Sequence, residues 1–204
     1  MLCPQCETVA PGGSACPSCG TPVPERETFG GQGTHYLWVL ALLSVILIVF
    51  AWLVAALRVG WASAYRQFWS SRWMVAYGLM SLAPLAIGVY YWLLLRDEET
   101  VVTDSYIERR SHWGNQRLLW ARATGFYRQL LPFRQTRLGR IAGLSRVLVD
   151  SRLIAKLPPY AYIVTAESSA DEQMDAMTIE PGTVSDLHWL LKLVAARLGP
   201  PEIT

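Results

Sequence analysis

The chain has 204 residues, of which 52% are hydrophobic and only 17% charged, a balance that excludes an ordinary soluble globular protein and points to membrane segments. Its net charge is only +2 but unevenly distributed, and its start, MLCPQC, has neither the basic nor the apolar stretch of a secretory signal peptide. Nine tryptophans are many for this length, and several flank apolar runs, where indole favours the lipid headgroup zone.

All four cysteines fall in CPQCETVAPGGSACPSCG, residues 3 to 20. Cys3, Cys6, Cys16 and Cys19 have the spacing C-x2-C-x9-C-x2-C. Each CxxC pair forms a tight knuckle, and four thiolates fill the tetrahedral shell of a structural zinc ion. Pro4 and Pro17 stiffen the knuckles, while Gly12, Gly13 and Gly20 supply turn conformations. A segment this short has no core of its own, so metal binding supplies most of its folding free energy. Two disulfides, or a redox CxxC, are the alternative chemistry. Four protein thiolates leave no open position, so a bound Zn2+ is structural and not catalytic. The stretch resembles the zinc-ribbon modules at the N-termini of many bacterial membrane proteins, in which Gly follows the second Cys of each knuckle. Gly20 fits that pattern; Glu7 takes the other position. The resemblance implies a small rigid docking surface over residues 1–24.

Residues 22 to 36, PVPERETFGGQGTHY, are rich in Pro and Gly and read as a flexible tether, centred on 25–35. Tyr36 to Leu57 is apolar and uncharged; as a helix it would be about 33 Å long, the thickness of a bilayer core. Residues 58–72, RVGWASAYRQFWSSR, carry three arginines and no acid and read as an interfacial hairpin loop, with aromatic anchors and anionic lipid or a partner as possible contacts. A second uncharged span runs from Trp73 to Leu95, and Pro84 within it reads as a packing kink. Two spans put both termini on one side. The arginine count across them is nearly even, but reduced zinc-binding thiols suit the cytosol. That places both termini in the cytoplasm and the protein in the inner (cytoplasmic) membrane.

Residues 96–204 have the composition of a soluble domain. Strands are expected at 100–103, 105–112, 117–128, 146–150, 160–167 and 176–181. A closing helix is expected with Thr183 as its cap and an apolar stripe of Leu187, Leu190, Leu191, Val194 and Leu198, ended by Gly199 and Pro200. The expected fold is therefore a mixed membrane protein: a small zinc ribbon, a two-helix transmembrane hairpin and a C-terminal α+β domain, its curved or barrel-like sheet plugged by the final helix. The order of these elements, and VVTDSYIERRSHWGNQRLLWARATGF at 101–126 in particular, resembles bacterial pleckstrin-homology-like domains that follow membrane spans. No internal repeat is evident.

Charge is the informative feature of this half. Between Glu108 and Asp150 there is no acid, whereas nine arginines occur: Arg109, Arg110, Arg117, Arg122, Arg128, Arg134, Arg137, Arg140 and Arg146. Arg128, Arg134, Arg137, Arg140 and Arg146 are the candidate contacts for an anionic partner or lipid, each contributing about 1 kcal/mol at a charged surface; the alternative is pairing with acids from Glu167 onward. His35, His112 and His188 are scattered, and no nucleophile motif, phosphate loop or dinucleotide fingerprint occurs. The expected function is non-enzymatic: a membrane-anchored scaffold or accessory subunit that docks a protein partner. Anionic-lipid adaptor is the first alternative. Nucleic-acid regulator is the weaker one, since residues 1–24 lack Lys and Arg.

Overall fold

A computed structural model describes residues 1–112, 114–130, 160–167 and 174–203. The chain divides into two compact units, Met1–Gly31 with Asp97–Thr204, and Gln32–Arg96.

The first unit contains two four-stranded sheets. β1 (Arg26–Gly30), β2 (Glu99–Thr103), β3 (Tyr106–Ser111) and β4 (Gly114–Leu119) follow one another across the first sheet. All three pairings are antiparallel, with Gly30 opposite Glu99, Val101 opposite Glu108 and Tyr106 opposite Leu119. A short 3-10 turn, Trp120–Arg122, leads into the second sheet. There β5 (Ala123–Leu130), β6 (Tyr160–Glu167) and β7 (Met174–Ile179) form an antiparallel meander, and β8 (Glu202–Ile203) adds in parallel to β5. Val102, Ile107 and Leu118 of the first sheet share one core with Phe126, Val164, Met177 and Ile179 of the second.

The helix that closes this core, here α5, is Leu187–Leu198. It buries Leu190, Leu193 and Val194, with Leu187, Leu191 and Leu198 partly buried. Leu193 is thus a core residue that the expected stripe omits. The expected cap, Thr183, is buried and donates its hydroxyl to Glu180 O at 2.9 Å. Asp186 is the N-cap instead, accepting from the Trp189 N–H at 3.4 Å. Gly199, at φ 86, ends the helix, a left-handed position that favours glycine.

The stretch expected as a flexible tether contains β1. Thr28 and Phe29 have strand-forming side chains, and Phe29 is buried in the shared core. Its sheet partner, β2, arrives only after the whole second unit has been threaded. The second unit is therefore an insertion between adjacent strands of one sheet. The expected strand at 146–150 lies outside the described residues.

In the second unit, α1 (Gly33–Val59) packs against α4 (Ala83–Leu95). α3 (Arg72–Ser81) precedes α4, with a break at Leu82 and Pro84 in the first turn of α4. Gly33–Val59 and Arg72–Leu95 are long and apolar enough to cross a membrane. Only 22% of each apolar window is buried, so most of that surface faces outward, unlike the core helix of a soluble domain. The expected loop at 58–72 is mostly helix: α2 is Trp61–Ser70. No Gly or Pro interrupts those residues, and the Trp61 ring packs on Trp52 of α1 with centroids 4.8 Å apart. Ala55, Ala56 and Ala64 are buried between α1 and α2.

Candidate metal centre

Each CxxC pair opens a turn with the same backbone pattern. In the first, the Cys3 N–H donates to Thr8 O at 2.9 Å and the Glu7 N–H to Cys3 O at 2.9 Å. In the second, the Cys16 N–H donates to Thr21 O at 2.9 Å and the Gly20 N–H to Cys16 O at 2.8 Å. The residue after the second Cys must turn left-handed to close such a knuckle. Gly20 does so at φ 74, and Glu7 does so at φ 57.

These two turns bring the four thiols together. All four Sγ atoms lie within 4.8 Å of one another. Cys6 to Cys16 is 3.4 Å, while Cys3 to Cys19 and Cys6 to Cys19 are each 3.5 Å. A tetrahedral metal with 2.3 Å bonds to sulfur needs S–S separations of about 3.8 Å, so the cluster has the size of a metal shell. All four are free thiols. Among the described residues no other group of His, Cys, Asp and Glu is gathered closely enough to hold a metal.

Burial divides the four thiols into two kinds. Cys3 and Cys16 are buried, at 0% and 3% exposed, whereas Cys6 and Cys19 face solvent. Burial pushes the Cys3 thiol up to about 11. Hydrogen bonding from the Thr8 side chain, then from its backbone, pulls the Cys6 thiol down to about 6. Thr21 does the same in direction for Cys19. Each threonine Oγ1 sits 3.3 Å from its cysteine Sγ. Thr8 and Thr21 are site residues that motif spacing does not single out. The signal for them was present, because CPQCET (3–8) and CPSCGT (16–21) are a short repeat, C-P-x-C-x-T. At six residues it is too short to count as an internal repeat of the chain.

The cysteine module belongs to the first unit and is no separate body on a tether. Asp104, in the turn between β2 and β3, gathers donors from both sides. The Met1 ammonium reaches its Oδ1 at 2.6 Å, the Gly12 N–H reaches its Oδ2 at 2.5 Å, and Arg197 of α5 donates to Oδ1. Burial works to raise the Asp104 carboxyl, but those hydrogen bonds and charges outweigh it and hold it below the usual carboxylate range. Lys192 of α5 donates to Glu7 Oε1 at 2.5 Å. Met1, Leu2, Cys3, Ala10, Cys16 and Val23 belong to the same buried cluster as Val102, Ile107 and Leu190.

Of the five candidate arginine contacts, Arg134, Arg137, Arg140 and Arg146 lie outside the described residues. Arg128 stacks over the Tyr160 ring at 4.7 Å. Arg109, Arg110 and Arg117 pair with Glu98, Glu99 and Glu108, which stand at or before the start of the basic interval, and not with the acids from Glu167 onward. Arg109 is buried and bonds Glu98, and its Nη1 donates to Thr178 O at 3.1 Å, which joins the two sheets. Glu108 accepts from Arg110 and, at 2.9 Å, from Arg117. The Arg110 hydrogen bond is the main reason its carboxyl lies below the usual range. Arg122 is exposed. The histidines are not brought together: His35 lies in α1, His112 beside the β3–β4 turn and His188 on the exposed side of α5.

The chain therefore has an N-terminal cysteine cluster able to hold a metal ion, two helices that pass the test of length and apolarity for a membrane span, and a C-terminal β domain. No protein-family model, no curated protein and no solved structure matches it.

Proposed function

We propose that the protein is a non-enzymatic, membrane-anchored interaction protein whose cysteine module is a structural zinc ribbon and whose soluble unit docks a protein partner. The observation that carries this reading is the four-thiol cluster. A shell of four protein sulfurs holds zinc with no open coordination position, so what the metal supplies is a rigid surface. The soluble unit, four strands, then three more and a closing helix, is compatible with the pleckstrin-homology-like resemblance of residues 101–126. With α1 and the α3–α4 pair as two spans, ribbon and β domain share one side of the membrane. Zinc thiolates favour the reducing cytosol, which puts both termini there, in the inner membrane. Purification of the tagged full chain in mild detergent should co-purify a stoichiometric protein, and Cys16→Ser should lose it together with zinc. A chain that purifies alone, but sediments with vesicles of acidic lipid in a salt-sensitive way, would overturn the protein-partner reading in favour of the lipid adaptor. Orientation is checked by labelling intact cells with an impermeant thiol reagent. A cysteine introduced at Ser63 should react and one at Arg122 should not; the reverse pattern inverts the topology.

A further inference from the structure

Four features tie the cysteine module to the β domain. Glu7, which follows the ligand Cys6, meets Lys192 of α5 at 2.5 Å. Gly12 and Met1, on either side of the first knuckle, converge on Asp104, which also binds Arg197 of α5. Two of the ligands themselves, Cys3 and Cys16, are part of the apolar cluster that includes Leu190, Leu193 and Val194. The module has too few residues for a core of its own, so its shape depends on the β domain it packs against and on what its four sulfurs hold. Glu7 is left-handed in the first knuckle, and Gly12, beyond it, lies against the Glu25 backbone, while the four sulfurs are gathered at one centre.

From this we propose that the metal centre is a latch. Zinc in the four-cysteine site holds the module closed over α5 and the β2–β3 turn, and loss of the metal opens the core of the β domain. The inference rests on the zinc reading above and goes further. Metal-binding free energy is folding free energy for whatever the metal orders, and here that includes the shared core as well as residues 1–24. Apo protein therefore exposes apolar surface that the loaded protein hides, which makes metal loading a control on the docking unit. The solvent-facing pair Cys6 and Cys19, 3.5 Å apart, is where a chelator or a competing thiol gains access.

Hydrogen exchange on the purified full-length protein tests this. Metal analysis comes first: zinc near one equivalent per chain is expected, and protein that neither carries nor takes up zinc refutes the zinc reading and the latch with it. Chelation of the loaded protein should then speed exchange about tenfold or more in residues 1–24 and also in β2, β3 and α5, while α1 keeps its protection. Faster exchange confined to residues 1–24 would refute the latch and leave the zinc site standing. A variant that keeps all four cysteines, Asp104→Ala with Lys192→Gln, separates the two further. It should retain zinc yet show faster exchange in residues 1–24 and α5; unchanged exchange would show that these contacts hold nothing closed.

Discussion

Glu7 and Gly20 occupy equivalent places in the two knuckles and adopt the same left-handed backbone. For glycine that conformation is free of strain; for a residue with a Cβ it costs about 1 kcal/mol. Glu7 offsets part of that cost by bonding Lys192. Two substitutions follow from the difference. Gly20→Val places a β-branched side chain at φ 74, where an added Cβ meets no atom within 4 Å. Its effect is then backbone strain alone, and zinc affinity should fall about tenfold. Glu7→Gly removes strain from the first knuckle and should leave zinc affinity unchanged or higher, while weakening the hold of the module on α5. Competition with a chromogenic chelator measures both affinities, and a loss of affinity in Glu7→Gly would contradict the account of the knuckle.

Pro84 interrupts the second apolar stretch, and the consequence is specific. The break at Leu82 starts a new helix, α4, whose first backbone N–H groups have no partner within it. In an apolar setting such a group is costly. Ser44 of α1 meets one of them, its Oγ accepting from the Leu85 N–H at 3.0 Å. Ser44→Ala should therefore lower the stability of the helical unit by about 1 kcal/mol, within the range of interhelical hydrogen bonds. Gly88 sets the approach of the same helices: a Cβ there would lie 3.1 Å from the Leu40 Cβ. Gly88→Leu should cost more than Ser44→Ala, because it pushes α1 and α4 apart along their length. Thermal melting of the purified protein in detergent ranks the two variants, and the opposite order would mean that packing at Gly88 is loose.

At the scale of the whole molecule, acid sensitivity reports the join between the cysteine module and the β domain. Asp104 has its folded-state pKa lowered by the Met1 ammonium, Gly12 and Arg197, against the opposing effect of burial. A carboxyl with a lowered folded pKa stabilises the protein at all pH values above its unfolded value, about 3.9. That contribution disappears as pH falls below about 4 and through the folded pKa. Glu108, held down chiefly by Arg110, adds in the same sense. Glu27 has the opposite sign, since burial raises its carboxyl although the Trp189 indole N–H donates to it at 2.6 Å. Asp104→Asn should thus lower stability at neutral pH and flatten its fall below about pH 4. Melting temperature followed across pH, in wild type and variant, gives the comparison; parallel curves would mean that Asp104 does not link the two.

Much of this was legible in residue order. The cysteine spacing identifies the cluster, because four thiols in two CxxC pairs leave few other uses. Long apolar runs without charge identify α1 and the α3–α4 stretch, because their length and apolarity match a bilayer core. Strand alternation and the leucine stripe identify β2, β3, β6, β7 and α5, whereas the single strand expected at 117–128 is divided by the Trp120–Arg122 turn between β4 and β5, in different sheets. What local pattern does not contain is pairing between distant segments. β1 looks like linker because Pro and Gly surround it and its partner, β2, comes only after both long helices. The role of Asp104 depends on Gly12 and Arg197 meeting across 92 and 93 positions. Local composition likewise hides that Arg109, Arg110 and Arg117 pair with Glu98, Glu99 and Glu108. Local chemistry sets which elements form; tertiary packing alone decides that the cysteine module, the first strand and the last helix close one core.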